Sequence, residues 1–135
     1  MRLLSGIVVV AFALFLIGLA VTILARPARA ERFLHAFASS ARAHYLEQAV
    51  RLVVGGALVL FSPAMWQPDV FRVFGWVVVG TTVVLLCIPW RWHHRFATWV
   101  VPPVIRYMKL YGVGAVVLAA LLLYGVCAGS ASGAV

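Results

Sequence analysis

Residues 3–25 form an unbroken run without a charged side chain, and three more apolar runs follow at 52–66, 73–90 and 110–128. About 20 apolar residues cross roughly 30 Å of hydrocarbon, and in lipid a crossing segment must satisfy its own backbone. Each run therefore predicts a transmembrane helix. The second run is short for the task, because its fifteen residues rise only about 22 Å as a helix. Extension backwards through Gln48, Ala49 and Val50 makes up the length, with Arg51 snorkelling to the interface. Glu47 stands four residues before Arg51, the favourable order for a helical ion pair, so this helix is expected to start before Glu47. Arg2 and the Ala28-Arg29-Ala30 triplet give the first run some features of a cleaved leader. Its apolar stretch is longer than the about 7–15 residues of such leaders, which favours a retained helix.

Between the first two runs the pattern becomes amphipathic. On a helical projection of residues 29–46, Ala30, Phe33, Leu34, Phe37, Ala38, Ala41 and Tyr45 share one side, and Arg32, His35, Ser39 and Arg42 the other. His44 and Leu46 fall on the wrong sides. The pattern predicts a helix lying in the interface plane. The segment before the last run is rich in Trp90, Trp92, Phe96, Trp99 and Tyr107, residues that favour the headgroup region. There a short interfacial helix over 92–100 is expected, ended by Pro102-Pro103, which remove two backbone donors.

Composition agrees with lipid as the solvent. The chain is 65% hydrophobic and 10% charged, with three acidic residues and no Asn, against about 45–50% and about 25% in soluble domains. The formal charge of +8 does not point to nucleic acid, because no basic stripe stands on a polar fold. Nine of the eleven basic residues fall in two connecting segments. The first carries Arg26, Arg29, Arg32, Arg42 and Arg51; the third carries Arg91, Arg95, Arg106 and Lys109. The positive-inside rule puts both segments in the cytoplasm and both termini outside. Cys87 and Cys127 would then lie near opposite membrane faces, too far apart for a disulfide.

The chain also reads as two similar units, about 3–66 and 71–128, followed by a tail over 129–135, all in one membrane domain. Arg51-Leu52-Val53-Val54-Gly55-Gly56-Ala57 resembles Lys109-Leu110-Tyr111-Gly112-Val113-Gly114-Ala115, and Arg32-Phe33 resembles Arg95-Phe96. With two spans per unit, the copies share one orientation and form a parallel repeat. The second unit carries Pro89-Trp90-Arg91-Trp92, then Pro102, Arg106, Gly112 and an apolar run. It resembles the small YjeT-type inner-membrane proteins of bacteria, a two-helix family of unknown function. The first unit departs from that pattern, with Ser39-Ser40 in place of Pro102-Pro103. The resemblance implies an architecture and a bacterial inner-membrane location, and no activity.

Helices in lipid pack closely through small residues. Gly55 and Gly56 in the second run, Gly80 in the third, and Gly112 and Gly114 in the fourth are the expected packing positions. The second and fourth helices are expected to meet at Gly56 and Gly114.

The runs as delimited hold no ionisable side chain, where one would mark function. Their few polar residues are Ser5, Thr22, Ser62, Thr81 and Thr82. Haem would need facing imidazoles at one depth. All four histidines lie in the two basic segments, so only a pair across them, such as His35 with His93, serves. Cys87 with His93 or His94 matches no common zinc spacing. No phosphate loop, serine triad or carboxylate pair is present in the sequence. The expected fold is an all-α bundle of four spans. No enzyme activity, cofactor or metal is expected. The residues expected to meet lipid headgroups are Arg29, Arg32, Arg42, Arg51, Arg91, Trp92, Arg95, Trp99, Arg106 and Lys109. They suit a scaffold or accessory subunit that binds anionic lipid and a membrane-protein partner or a second copy. The alternatives are a small transporter or channel, and third a haem-binding anchor.

Overall fold

The computed structural model describes residues 1–38, 40–88, 103 and 105–131, with side chains described outside 34–38. Among these the chain is helical: α1 Arg2–Ala25, α2 Pro27–Ala38, α3 Ala41–Phe61, α4 Pro68–Cys87 and α5 Met108–Ala131, with a 3-10 turn at Ser62–Ala64. Four segments are long and apolar enough to cross a membrane: α1, α3 continued to Ala64, α4 and α5. Their outward faces are as apolar as their packed ones. Leu14, Phe15, Val53, Trp76, Val84 and Leu121 are all exposed. A protein in water rarely leaves a contiguous apolar surface larger than a few hundred Å² uncovered, so faces of this kind suit lipid. The chain is a membrane protein.

The helix boundaries have local causes. Proline disfavours helical geometry in the residue before it, and Pro27 directly follows the non-helical Arg26 (φ −143°, ψ 64°) that closes α1. Pro27 then opens α2, at a position where its missing N–H costs nothing. Ser40 is extended (φ −144°, ψ 150°), and its hydroxyl accepts the Ala43 amide at 3.2 Å, an N-cap for α3. The single amphipathic helix expected over 29–46 is therefore two helices, because Ser40 satisfies the first turn of a new one. α3 begins well before Glu47. Pro63 turns its far end into a 3-10 turn, and Pro68 starts α4 with Asp69 in the first turn. Asp69 accepts from Arg72 at 2.8 Å, so the acid lies where the helix dipole favours it.

α1 is the middle of the bundle. Its most extensive partner is α5, it also packs on α3, and α3 packs on α4. The face it buries follows a helical stripe: Ser5, Val9, Ala13, Leu16, Ala20 and Ile23. The main core joins Val9, Ala13 and Leu16 to Val54, Leu58, Phe71, Ala119 and Leu122. A second cluster, Ile23, Ala30 and Met108, pins α2 against the adjoining ends of α1 and α5.

Contacts between α3 and α5 are at most marginal. The expected crossing at Gly56 and Gly114 is not formed. A Cβ at Gly56, Gly80 or Gly114 would meet nothing within 4 Å. These glycines stand on helix faces turned away from the neighbours, one position off the packed register. Gly55 is on the packed face. Its added Cβ would lie 3.1 Å from the Gly75 carbonyl oxygen, and one at Gly75 would lie 2.9 Å from that of Gly55. The two glycines let α3 and α4 cross almost backbone to backbone. Gly112 faces Ile23, 3.1 Å from where its Cβ would be.

Candidate functional site

The two basic segments emerge at one end of the bundle. Ile23, two residues from the end of α1, packs on Gly112 and Met108 at the start of α5. At the opposite end Gly6 packs on Phe61, and Gly125 and Gly129 pack on Met65 and Ala64. The ends of α1 and α4 and the starts of α3 and α5 therefore share one side, the basic end. Cys87 closes α4 there, and Cys127 lies near the other end; both thiols are free and exposed.

At the basic end Arg26, Arg29 and Arg32 on and beside α2 are exposed, as are Arg42 on α3 and Arg106 and Lys109 at the start of α5. The Arg106 guanidinium stands 5.7 Å from the centroid of the Tyr107 ring, a cation–π arrangement. Arg91, Trp92, Arg95 and Trp99 lie outside the described residues, as does the helix expected over 92–100. Ala30 on α2 is buried, while Phe33, placed on the same side by the helical projection, is exposed like its basic neighbours.

Arg51 is partly exposed and reaches a neighbouring helix. It is the central residue of α3 and crosses to α4. Its Nε donates to Thr82 Oγ1 and its Nη2 to Thr81 Oγ1, both at 3.1 Å. Glu47 Oε1 lies 3.9 Å from Nη1. Thr82 is fully buried and in turn donates to the Val78 carbonyl at 2.6 Å. The guanidinium has acceptors at its own level and so has no need to extend toward water. Thr82 precedes the end of α4 by five residues, about 7.5 Å of helix. The clasp lies on the partly exposed α3–α4 seam, with the Arg51 side chain 36% exposed and Thr82 buried beneath it.

A polar strip continues from Arg51 along α3. Gln48 is fully buried and His44 is 2% exposed. Neither amide atom of Gln48 has a hydrogen-bond partner among the described residues. His44 meets Tyr45 edge-on at 5.3 Å. The position of His44 on the wrong side of the amphipathic projection has its cause here: it belongs to the packed face of α3, not to the interfacial helix. No three His, Cys, Asp or Glu side chains among the described residues group as metal ligands would.

A groove of about 450 Å³ lies in the angle between α1 and α2. Phe15, Gly18, Leu19 and Thr22 line it from α1, and Arg29 and Phe33 from α2. Nothing approaches within 4 Å of where a Cβ would stand on Gly18. The Thr22 hydroxyl is committed to the Gly18 carbonyl at 2.8 Å, so the α1 wall presents apolar surface.

The sequence pattern gave no warning of this groove. It also passed over Gly125 and Gly129, which form the four-residue spacing of a helix-packing motif. In the structure that pair receives the turn after α3 instead of another helix. The Trp66 amide donates to the Gly125 carbonyl at 2.9 Å, and Trp66 stands edge-on to Tyr124 at 5.3 Å.

The chain matches no protein-family model, and no curated protein and no solved structure is similar to it.

Proposed function

We propose that this chain is a non-enzymatic membrane protein, a scaffold or accessory subunit, whose basic end gathers anionic lipid and seats a membrane-protein partner. The observation that carries the reading is the convergence of Arg26, Arg29, Arg32, Arg42, Arg106 and Lys109, all exposed, at one end of the bundle, whereas the other end carries Arg2 and the paired Arg72 and Asp69. Each basic side chain held near an anionic surface contributes about 1 kcal/mol of attraction. In this reading the basic end is cytoplasmic, both termini are outside, and the membrane is a bacterial inner membrane, in keeping with the YjeT-type resemblance. The two halves are read as a duplicated helical hairpin.

The transporter reading gains one observation, the strip of buried His44, Gln48 and Thr82 with the partly exposed Arg51. From His44 to Arg51 that strip covers eight residues of α3, about 10 Å. Beyond it the buried face is Val54, Gly55, Ala57 and Leu58, so the polar strip stops in mid-bundle. Accessory binding is the better-supported reading.

The test is lipid selectivity. The full chain is reconstituted in vesicles of phosphatidylcholine with a minor fraction of phosphatidylglycerol, and spin-labelled forms of both lipids report which one contacts the protein. Phosphatidylglycerol should be preferred, and the preference should fall when Arg26, Arg32, Arg42 and Lys109 are all replaced by Gln. Equal contact of both lipids with the unaltered chain would refute the reading.

A further inference from the structure

We infer that the groove between α1 and α2 is a binding site for a single anionic phospholipid, with an acyl chain along Phe15, Gly18 and Leu19 and the phosphate at Arg29. The inference rests on the lipid-binding reading above and narrows it from a basic surface to one built site.

Three observations converge on this occupant. First, the groove has the two-part chemistry of a phospholipid. The α1 wall runs from Phe15 to Thr22, about 10 Å of helix. It presents apolar side chains and one hydroxyl whose proton is already donated to the Gly18 carbonyl, so it has no free donor for a polar ligand. Among the described residues, the one charged side chain that lines the groove is Arg29, which stands three residues past the break at Arg26. A planar guanidinium pairs well with phosphate oxygens. Second, the charge on and beside this part of α2 is mainly basic, with Glu31 the one acid on α2. Arg26 and Arg32 flank Arg29 and are exposed, so an anionic headgroup is favoured over a zwitterionic one. Third, the groove is held open by the fold. Ala30 is clamped in the cluster with Ile23 and Met108, which fixes α2 against the bundle. Gly18 leaves the floor without a side chain where one would fit freely. The volume of about 450 Å³ falls within the about 300–1,000 Å³ of ligand pockets. A helix from a protein partner would need the groove to accept a cylinder roughly 10 Å across, whereas a chain of methylenes needs no such width.

The Gly18 position makes the inference testable. Gly18→Phe fills the floor, whereas Gly18→Ala barely intrudes, and neither meets existing atoms at Cβ. The full-length protein in mild detergent is titrated with palmitoyl-oleoyl phosphatidylglycerol and, separately, with the phosphatidylcholine of the same chains, and read by native mass spectrometry. The expected result is one phosphatidylglycerol retained per chain, with retention unchanged in Gly18→Ala and weakened about tenfold or more in Gly18→Phe. Arg29→Gln should remove the preference over phosphatidylcholine for that one molecule. Gly18→Leu, checked for native helix content, serves if the Phe variant does not fold.

Retention by Gly18→Phe or Gly18→Leu equal to that of the unaltered chain overturns the site. Capture of a second copy or of a protein in place of lipid also overturns it. The two readings separate cleanly. Vesicle selectivity that survives in Gly18→Phe, together with unchanged single-lipid retention, sinks the groove alone. Loss of all selectivity in the unaltered chain sinks the basic-end reading itself.

Discussion

Arg51 Nε donates to Thr82 Oγ1 at 3.1 Å across the α3–α4 interface, with Thr81 taking a second bond from the same guanidinium. A half-buried cation midway along a candidate span is costly unless acceptors surround it, and here two hydroxyls and Glu47 do so. The clasp lies on the same helix pair as the Gly55–Gly75 crossing, so close backbone approach and polar locking act on one interface.

Thr82→Val removes that acceptor while keeping the shape. It should cost about 1 kcal/mol in reversible unfolding in detergent, the scale of polar contacts between membrane helices. In an Arg51→Leu background the same change should cost about half as much or less, since the bond is already gone. An equal cost in both backgrounds would show that the interhelical bond contributes nothing.

The glycines separate into two groups with opposite expected outcomes. A Cβ on Gly129 would collide with the Ala64 carbonyl oxygen and lie 2.8 Å from Met65 Cα. Gly129→Ala should therefore destabilise by about 2 kcal/mol, through backbone that must move. Gly114→Ala meets open space and should be neutral or stabilising by up to about 1 kcal/mol from helix propensity. Thermal melts of the two variants in one detergent check both. The reverse order of stabilities would contradict the assigned helix faces.

The two thiols lie toward opposite ends of the bundle, in α4 and α5. Oxidation with copper–phenanthroline should give no intramolecular disulfide, since the Cα atoms of a bridge must come within about 7 Å. A fast-migrating species on a non-reducing gel that disappears in Cys87→Ser would contradict the antiparallel order of the helices.

The spans were legible in the sequence because lipid-crossing helices are apolar on every face, and a run such as 3–25 needs no periodicity to be seen. The beginning of α3 before Glu47 was legible from the length deficit of its apolar run. The break at Ser40 was not, because a capping serine differs from any other polar residue of an amphipathic pattern only by its backbone angles. The acceptors of Arg51 were not legible because they are 30 and 31 residues away in sequence. Gly55 and Gly56 are equivalent as letters, and only the rotation of α3 decides that Gly55 is packed and Gly56 is not. In a helix apolar all round, hydrophobicity gives no clue to that rotation. The Gly125–Gly129 spacing was available and reads correctly as a close-packing face, although its partner is a turn.

The account stands on both basic segments facing one side of the membrane. It is tested most directly on a chain with Cys87→Ser and Cys127→Ser, carrying one new cysteine at a time: Arg42→Cys, Lys109→Cys or Asp69→Cys. A membrane-impermeant maleimide is applied to sealed cells, before and after permeabilisation. The account predicts that the cysteine at 69 reacts from outside and that those at 42 and 109 react only after permeabilisation. Labelling of positions 42 and 109 from opposite sides would contradict it.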